Sequence, residues 1–229
     1  MNHPAHIYRD YQDSIFLVFE GGEGSGKSIQ SRLLQSRLEL HDCSVVLTRE
    51  PGGTLLGAQI QELLMHQKHP IVSRAELLLY IADRAQHMEE IVAPALSRKS
   101  IVISDRHTLS TVAYQCYGRG ISLDLIHRLN QSVCLGIEPD LTFWLDIDPE
   151  EGLERARKRS TQDRMEAQSL SFHQAVRRGF AEAAEQDSRV VRVDASASRE
   201  QVHVDIWNIL KERSLSVLTM RKLDRVFGA

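Results

Sequence analysis

The segment from Phe16 to Ser28, FLVFEGGEGSGKS, constrains the fold of this 229-residue chain more than any other feature. Its first part, Phe16–Phe19, is a continuous apolar run, which is typical of a parallel strand covered on both faces. The residues from Gly21 onward then have the spacing G-x-x-x-x-G-K-[ST] of a phosphate-binding loop. The sequence therefore predicts a buried strand, a phosphate-binding loop and a helix in immediate succession.

Each residue type in this loop has a chemical reason to be there. Glycines let the backbone curl so that several N–H groups point at phosphate oxygens, and the helix that starts at Ser28 favours an anion at its N-terminus. Lys27 adds a positive charge at the transferred phosphate, and the Ser28 hydroxyl can bind Mg²⁺. The alternative is an ordinary glycine turn between a strand and a helix. We assign nucleotide phosphate binding to Gly21, Gly22, Glu23, Gly24, Ser25, Gly26, Lys27 and Ser28.

The overall composition narrows the class of protein. The formal net charge of −3 gives no reason to expect a nucleic-acid or acidic-membrane partner. No apolar run is long enough to span a bilayer, and the polar N-terminus does not resemble a signal peptide. The three cysteines have neither the spacing of a zinc site nor that of a disulfide framework, which favours a reduced, cytoplasmic protein.

Apolar runs alternate with helical patterns along the chain, which predicts an α/β fold with a mainly parallel sheet. We expect a three-layer α/β/α sandwich whose five-stranded sheet has the first strand in the centre. The predicted strands are Phe16–Phe19, Val45–Leu47, Ile101–Ile103, Leu141–Leu145 and Val190–Val193. The predicted helices are 28–40, 56–66, 73–97, 110–117, 123–135, one from Glu150, 172–185 and 200–211. We expect a flexible leader at 1–13, one domain at 14–213 and a C-terminal extension at 214–229.

Three segments outside the loop carry candidate functional residues. The segment 48–54, TREPGGT, follows the second strand at the edge where open α/β sheets bind ligands. Asp105 ends the third strand, where a carboxylate near Mg²⁺ is expected in a protein with a phosphate loop; the alternative is a helix N-cap. Tyr80, Arg84 and His87 share one helix face, although periodicity alone favours a core-edge aromatic beside a solvated charge.

The helix from Glu150 is rich in arginine. Arg155, Arg157 and Arg159 lie on it, and Arg164 follows. A run of charge is usually a solvated helix face, but this one follows a strand end in a protein with a phosphate loop. A solvated face and a phosphate-binding segment are therefore equally favoured.

Taken together, these motifs resemble those of bacterial thymidylate kinases. The matching segments stand in the family's order and cover about residues 15–212: FEGGEGSGKS, TREPGGT, SDRH…STVAYQ…GRG, EPDLTFWLD and RARKRS…DRME. The resemblance implies the fold of a P-loop nucleoside monophosphate kinase. It also implies Mg²⁺-dependent transfer of the γ-phosphate of ATP to dTMP, giving dTDP, by a cytoplasmic homodimer.

The resemblance implies roles for residues around the acceptor. Glu23 would contact the deoxyribose 3′-hydroxyl; the alternative is a glutamate that faces solvent. Arg49 and Glu50 would line the acceptor pocket. Tyr80 would stack on thymine, and Arg84 would donate a hydrogen bond to a base carbonyl.

A second group of implied roles falls on the segment after the third strand. Arg106 would hold the acceptor phosphate beside Asp105. Thr111 and Gln115 would contact the base edge, and Tyr114 would crowd the 2′ position and so disfavour ribose.

The arginine-rich segment, about 153–168, resembles the family's mobile lid over ATP, whose arginines would supply positive charge that the loop lacks. The expected catalytic residues are Lys27, Asp105, Arg106, Arg155 and Arg159. The expected Mg²⁺ ligands are Ser28 and Asp105, directly or through water.

The acceptor chemistry explains why the sequence has many placed cations and no nucleophile–base pair. A phosphate monoester has a second pKa of about 6 and is already largely dianionic at neutral pH, so no general base is needed. Two alternatives remain: a P-loop kinase for another nucleoside monophosphate or small acceptor, and a nucleotide-dependent switch. The lack of an N-K-x-D guanine-reading motif counts against a GTPase switch.

Overall fold

The computed structural model describes residues 14–67, 69–158 and 163–216, with side chains up to Arg213. The predicted leader at 1–13, Arg159 and most of the predicted C-terminal extension lie outside the described residues. Within the part that is described, no helix is long and apolar enough to cross a membrane.

The five predicted strands form one sheet in which every neighbouring pair is parallel. They are β1 (Ile15–Glu20), β2 (Val45–Arg49), β3 (Ile101–Asp105), β4 (Leu141–Asp146) and β5 (Val190–Asp194). Their order is β2-β3-β1-β4-β5, which confirms that the first strand lies in the centre. The strands extend slightly beyond the predicted apolar runs, because their pairing continues into the polar residues at the carboxyl ends.

The helices of the described residues pack on both faces of this sheet. They are α1 (Lys27–Glu39), α2 (Leu55–His66), α3 (Ser73–His87), α4 (Ala93–Ser97), α5 (Thr108–Thr111), α6 (Leu123–Val133), α7 (Pro149–Arg157), α8 (Leu170–Gln186) and α9 (Arg199–Ser216). The last helix runs past the predicted end at 211. The expected start of the extension at 214 therefore falls inside α9.

Two π-helical stretches modify the predicted helices. Met88–Val92 joins α3 to α4, so the single helix predicted there contains a wider turn. Val112–Gly118 follows α5 and carries Tyr114 and Gln115. Hydrophobic periodicity does not reveal such turns, which are frequent at functional sites.

Alternate side chains of β1 enter two separate apolar clusters, which produces the predicted three layers. Leu17 packs with Leu34 of α1 and Ile206 of α9 on one face. Phe16 packs with Met88 on the other face. All of β1 is buried, which explains why its sequence is apolar until its last residue.

The parallel arrangement brings the carboxyl ends of β1, β2 and β3 to one edge of the sheet. Asp105 at the end of β3 is in register with Phe19 of β1 on one side and with Arg49 of β2 on the other. The phosphate loop, the TREPGGT segment and the residues after Asp105 therefore meet there. This is the edge at which open α/β sheets bind ligands.

Candidate active site

The phosphate loop, residues 21–28, is held in shape by its own lysine. The Lys27 ammonium group donates hydrogen bonds to the carbonyl oxygens of Gly21 at 3.0 Å and Gly22 at 2.7 Å. Burial lowers the pKa of Lys27 to about 8, and the positive charge of Arg106 adds to this effect. A bound polyphosphate would offer this ammonium group stronger partners than the two carbonyls and would favour its charged form.

Two glycines allow the loop to touch α7 directly. Gly24 has a φ of 69°, and a Cβ at this position would overlap the carbonyl oxygen of Gly152. Gly152, on α7, faces the Glu23 carbonyl oxygen with no room for a Cβ of its own. The two backbones can approach this closely only because both residues are glycine. The loop is therefore braced by α7 as well as by β1 and α1.

The two predicted Mg²⁺ ligands lie side by side at the mouth of the loop. The Ser28 hydroxyl donates a hydrogen bond to Asp105 Oδ2 at 2.5 Å. A hydroxyl and a carboxylate are hard oxygen ligands, and together with phosphate oxygens they suit Mg²⁺. No group of three or more His, Cys, Asp or Glu side chains in the described ranges offers another metal site. The donor set therefore fits the predicted cation.

Asp105 is not the helix cap that the alternative interpretation required. The backbone N–H groups of His107 and Ser110, around the start of α5, donate to Glu20 Oε1 at 2.9 and 3.0 Å. Burial raises the pKa of Glu20, although hydrogen bonds from Ser110 and the charge of Arg106 oppose the shift. Glu20 caps the segment, so the carboxylate of Asp105 remains at the mouth of the loop.

Arg106 connects the phosphate loop to the neighbouring cavity. Its φ of 75° is uncommon for a residue other than glycine, and such conformations cluster at functional sites. Nη1 donates to Gly21 O at 3.1 Å and to Ser110 Oγ at 3.0 Å. Nη2 donates to Glu23 Oε1 and to the Tyr114 hydroxyl, each at 3.3 Å. The guanidinium group is thus fixed beside the loop with its charge facing the cavity.

The carboxylate of Glu23 lies within a cluster of hydrogen-bond donors. The Tyr114 hydroxyl lies 2.7 Å from both carboxylate oxygens, and His173 Nδ1 lies 3.3 Å from Oε2. Burial acts to raise the pKa of Glu23, but the hydrogen bond from His173 and the charges of Arg106 and Lys27 lower it to about 2. Because the side chain is only 9% exposed, the solvent-facing alternative is wrong.

The predicted acceptor residues line a single cavity of about 230 Å³, which we call the acceptor cavity. The predicted residues in its wall are Glu23, Ser28, Arg49, Glu50, Tyr80, Arg84, Asp105, Arg106, Thr111, Tyr114 and Gln115. A larger cavity of about 510 Å³, between α6 and α8, contains none of these residues. The candidate site is therefore identified by the residues that line the cavity, because the larger cavity lacks them.

Arg84 forms part of the cavity wall and is not a solvated charge. Its side chain is 2% exposed. Nε donates to Glu50 Oε2 at 2.7 Å, Nη1 donates to Thr111 Oγ1 at 2.8 Å and Asn130 Oδ1 at 2.6 Å, and Nη2 donates to His107 O at 3.0 Å. These bonds leave one N–H group, on Nη2, for a base carbonyl.

The carboxylate of Glu50, in the wall of the acceptor cavity, contacts one arginine and two histidine side chains. Its Oε1 is 2.8 Å from His87 Nδ1 and 3.0 Å from His107 Nδ1, and its Oε2 binds Arg84. Burial would raise the pKa of Glu50, but Arg84 and His107 hold it well below its usual range. Burial in turn lowers the pKa of His107. Glu50 thus acts as an ionised support for the cavity wall.

Comparison with known proteins identifies the family. A family model described as thymidylate kinase matches residues 19–206. The chain belongs to the thymidylate kinase family. A curated thymidylate kinase of Synechococcus sp. (strain JA-3-3Ab) is 48% identical over 205 residues, which cover 89% of this chain and 98% of that protein. The curated thymidylate kinase of Trichodesmium erythraeum (strain IMS101) is 47% identical, with 86% of this chain and 95% of the relative covered.

A solved structure supports the same assignment. The crystal structure of thymidylate kinase from Ehrlichia chaffeensis aligns with a TM-score of 0.72 at 37% identity, covering 86% of this chain and 98% of that one. The predicted resemblance and the predicted fold class of a P-loop nucleoside monophosphate kinase are both confirmed.

Within this thymidylate kinase fold, Arg155 lies behind the phosphate loop. Its Nη1 donates to Ala195 O at 2.8 Å and its Nη2 to Ser196 O at 3.1 Å. It lines a cavity of about 220 Å³ together with Gly24 and Gly26. Arg155 is therefore next to the loop, and its guanidinium group binds backbone carbonyls of the β5–α9 connection.

Arg164 lies elsewhere in this structure. Its Nε donates to Leu64 O at 2.7 Å, and its Nη2 forms an ion pair with Glu76 at 2.5 Å. It is attached to α2 and α3 at the acceptor cavity, whereas the prediction placed it over ATP. Arg157 is exposed at the end of α7, and Arg159 lies outside the described residues.

Several polar residues of the site were assigned no role from the sequence. They are Glu76, His107, Asn130 and His173, each of which contacts a predicted site residue, and Glu20, which accepts hydrogen bonds from the backbone of His107 and Ser110. Some are flanked by apolar neighbours, and a buried polar residue inside an apolar pattern is the one clue that the sequence offers. Their partners are far away in the chain. This clue can therefore indicate that a polar residue is buried, but it does not indicate which residue it contacts.

Proposed function

We propose that the protein transfers the γ-phosphate of ATP to dTMP, giving dTDP and ADP. The observation that carries this proposal is the acceptor cavity, whose wall begins at the Ser28–Asp105–Arg106 cluster and continues to Tyr80 and Gln115. A nucleoside monophosphate in this cavity would present its phosphate to the loop and its base to α3. The family membership identifies thymidine as the nucleoside to test first.

Positioning and charge account for the reaction. Lys27 and Arg106 lie close together, since both donate to the Gly21 carbonyl oxygen, and the two phosphates would meet beside this pair of cations. The acceptor phosphate is largely dianionic at neutral pH and can attack without a general base. Holding two polyanions in line is then the main task of the site, and fixed cations perform it.

Ser28 and Asp105 would hold Mg²⁺, directly or through water. Bound there, the cation would neutralise charge on the phosphate oxygens. The hydrogen bond between the two side chains keeps both oxygens at the mouth of the loop.

The sugar would be read by Glu23 and Tyr114. Glu23 is ionised and desolvated, so an acceptor 3′-hydroxyl can donate to it in place of part of its present hydrogen bonding. The Tyr114 ring is 5% exposed and packs against Phe172 and Phe180, so it is a rigid surface beside the sugar. These contacts support selection of a deoxyribose with a free 3′-hydroxyl.

We further propose that two copies form a homodimer in the cytoplasm. Exposed apolar side chains on α2 and at the start of α3 support the dimer, since Leu55 is 87% exposed, Val72 72% and Leu78 55%. The three cysteines, all of them among the described residues, form no disulfide, which supports a reducing compartment. Sedimentation velocity of the purified chain tests the dimer, and a monomer at micromolar concentration would contradict it.

An acceptor panel tests the function. The purified protein with Mg·ATP should phosphorylate dTMP with a higher kcat/KM than dCMP, dAMP, dGMP or TMP carrying a ribose, measured by coupled ADP release. A higher kcat/KM for one of the other nucleotides would favour the alternative of a P-loop kinase for another nucleoside monophosphate. ADP release without any acceptor dependence would favour the switch.

A further inference from the structure

Glu76, on α3, is a completely buried carboxylate that binds three donors from distant parts of the chain. Gln115 Nε2 donates to Oε1 at 3.1 Å, and Arg119 Nε donates to the same oxygen at 3.1 Å. Arg164 Nη2 forms an ion pair with Oε2 at 2.5 Å. One buried carboxylate therefore joins the wall of the acceptor cavity to the segment that follows α7.

The two arginines keep this carboxylate ionised. Burial would raise the pKa of Glu76, but the hydrogen bond from Arg119 and the charges of Arg119 and Arg164 lower it. Arg119 and Arg164 are themselves fixed, since Arg119 Nη1 donates to Gln168 Oε1 at 2.8 Å and Arg164 Nε binds Leu64 O. Glu76 is therefore an acceptor only, with no proton to donate.

An acceptor-only partner decides which way the Gln115 amide faces. The end next to Glu76 must be the NH₂ group, because a carbonyl oxygen there would face a carboxylate oxygen. Gln115 is 1% exposed and lines the acceptor cavity, and no described residue donates to its Oε1. The carbonyl oxygen is thus the end of the amide that is left for a ligand.

A fixed carbonyl oxygen distinguishes bases by their ring nitrogen. Thymine and uracil carry an N–H group at N3 and can donate to such an oxygen. Cytosine has a lone pair at N3, so two acceptors would face each other and both would lose their hydrogen bonds on burial. Adenine likewise has a lone pair at N1.

We propose that Glu76 is a specificity-determining positioning residue that holds Gln115 with its carbonyl oxygen toward the acceptor base and so favours a base with a ring N–H group. Glu76 acts through Gln115 and does not touch the substrate. The inference rests on the proposed function, because it concerns the base of the same acceptor.

The test uses Glu76→Gln, which keeps the shape and removes the constraint. A glutamine at this position can donate or accept, so the Gln115 amide can adopt either orientation. We expect the ratio of kcat/KM for dTMP to kcat/KM for dCMP to fall about tenfold or more, mainly through KM. The ratio of dTMP to dUMP should change by less than about threefold, because both bases carry the ring N–H group.

Two controls separate this role from a structural one. Asp146→Asn removes another buried carboxylate that is held by two arginines, Arg177 and Arg192, outside the acceptor cavity. It should leave the dTMP to dCMP ratio unchanged. A loss of activity that is proportional for dTMP, dUMP and dCMP in Glu76→Gln would show a merely structural role and overturn the proposal.

A second variant keeps the proposal testable if Glu76→Gln does not fold. Gln115→Met removes both ends of the amide with little change in shape, and the dTMP to dCMP ratio should fall as well. An unchanged ratio in a folded Gln115→Met protein would overturn the proposal.

Calorimetric titration with dTMP and with dCMP gives the ratio of their dissociation constants, which measures selection of the base without turnover. If the wild type shows no turnover of dTMP, the proposed function fails. If the wild type phosphorylates dTMP but the ratios do not respond to either variant, only the role of Glu76 fails. A wild type that binds dCMP more tightly than dTMP would also overturn that role.

Discussion

At the scale of single residues, the pKa values of two charged groups in the phosphate loop, Lys27 and Glu23, are lowered for different reasons. Lys27 is buried among carbonyls and beside Arg106, and its pKa is lowered to about 8. Glu23 is equally enclosed, but its donors outweigh the effect of burial and lower its pKa to about 2. Both groups are therefore charged at neutral pH, and only Lys27 changes charge in the accessible alkaline range.

The shift of Lys27 predicts how ATP affinity depends on pH. The ammonium form neutralises phosphate charge, and above a pKa of about 8 the free protein loses that form. We expect the affinity for a non-hydrolysable ATP analogue to be flat from pH 7 to 7.5 and to fall about tenfold by pH 9. Calorimetry over this range measures it. A Lys27→Met protein should bind weakly with no such slope, and an equal slope in that variant would exclude Lys27 as the cause.

Asp83 predicts a pH dependence of stability. Burial raises its pKa to about 6, the carboxylate of Glu50 adds to the shift, and a hydrogen bond from Gly52 N opposes it. The ordinary pKa of an aspartate, which we take for the unfolded chain, is 3.8. Because the folded state favours the protonated form, ionised Asp83 destabilises the protein above pH 6 by up to about 3 kcal/mol.

Asp83→Asn should therefore stabilise the fold at pH 8, since Oδ1 can still accept the Gly52 N–H. Its advantage over the wild type should shrink as the pH falls from 6 toward 4. Urea unfolding at pH 8 and pH 4.5 measures the free energy of unfolding. A variant that is less stable than the wild type at pH 8 would contradict this account of Asp83.

At the scale of secondary-structure elements, the site depends on how strand ends and helices approach the phosphate loop. β1 supplies the loop, β3 supplies Asp105 and Arg106, and α7 supports the loop from behind through Gly152. The π-helical stretch Val112–Gly118 places Tyr114 and Gln115 in the cavity wall. Small shifts of these elements relative to the phosphate loop should therefore lower the catalytic rate more than they lower the stability of the fold.

Gly152→Ala tests the contact between α7 and the loop. Alanine in a helix is favoured over glycine by about 1 kcal/mol, so propensity alone predicts a more stable protein. The added Cβ has no room against the Glu23 carbonyl oxygen, so the loop must move. We expect kcat/KM to fall about 100-fold, since a misplacement of this size is costly for in-line transfer.

Glu150→Ala is a suitable control for this test, because Glu150 is an exposed position on the same helix. It should leave kcat/KM near the wild-type value. Wild-type activity in Gly152→Ala would show that α7 does not support the loop.

The same elements show what could be predicted from the sequence. The strands and the phosphate loop follow from local patterns in the sequence. Most residues of the cavity wall follow only from the resemblance to the family, because periodicity alone favoured a solvated charge for Arg84. Glu20 could not be predicted, because its role depends on a hydrogen bond to His107, 87 residues away. The contacts of Arg164 could not be predicted for a related reason: a charge run does not reveal that Glu76 offers a buried partner.

At the scale of the whole molecule, the acceptor cavity is closed by segments that the chain brings together over long distances. Residues 163–168 lie against α2 and α3, where Arg164 N donates to Met65 O at 3.2 Å. Asp163 and Met165 line the cavity directly. This segment is therefore the part of the predicted lid that should respond to the acceptor.

Hydrogen exchange can measure that response. A bisubstrate analogue that joins dTMP to ATP should slow exchange of the Arg164–Gln168 amides, because a filled cavity holds the segment closed. The amides of β1, which are buried in the sheet, should not change. Equal exchange in the free and bound protein would indicate that residues 163–168 are a plain surface segment.

The central claim is that the loop and Arg106 transfer a phosphoryl group to dTMP, and γ-labelled ATP tests it most directly. In the wild type with Mg²⁺ and dTMP, the label should appear in dTDP in proportion to the ADP formed. Arg106→Ala, confirmed as folded by its circular dichroism spectrum, should reduce kcat at least about 100-fold, because a fixed cation beside the moving charge is lost. Label that appears as inorganic phosphate, or an Arg106→Ala protein that retains wild-type transfer, would contradict the account.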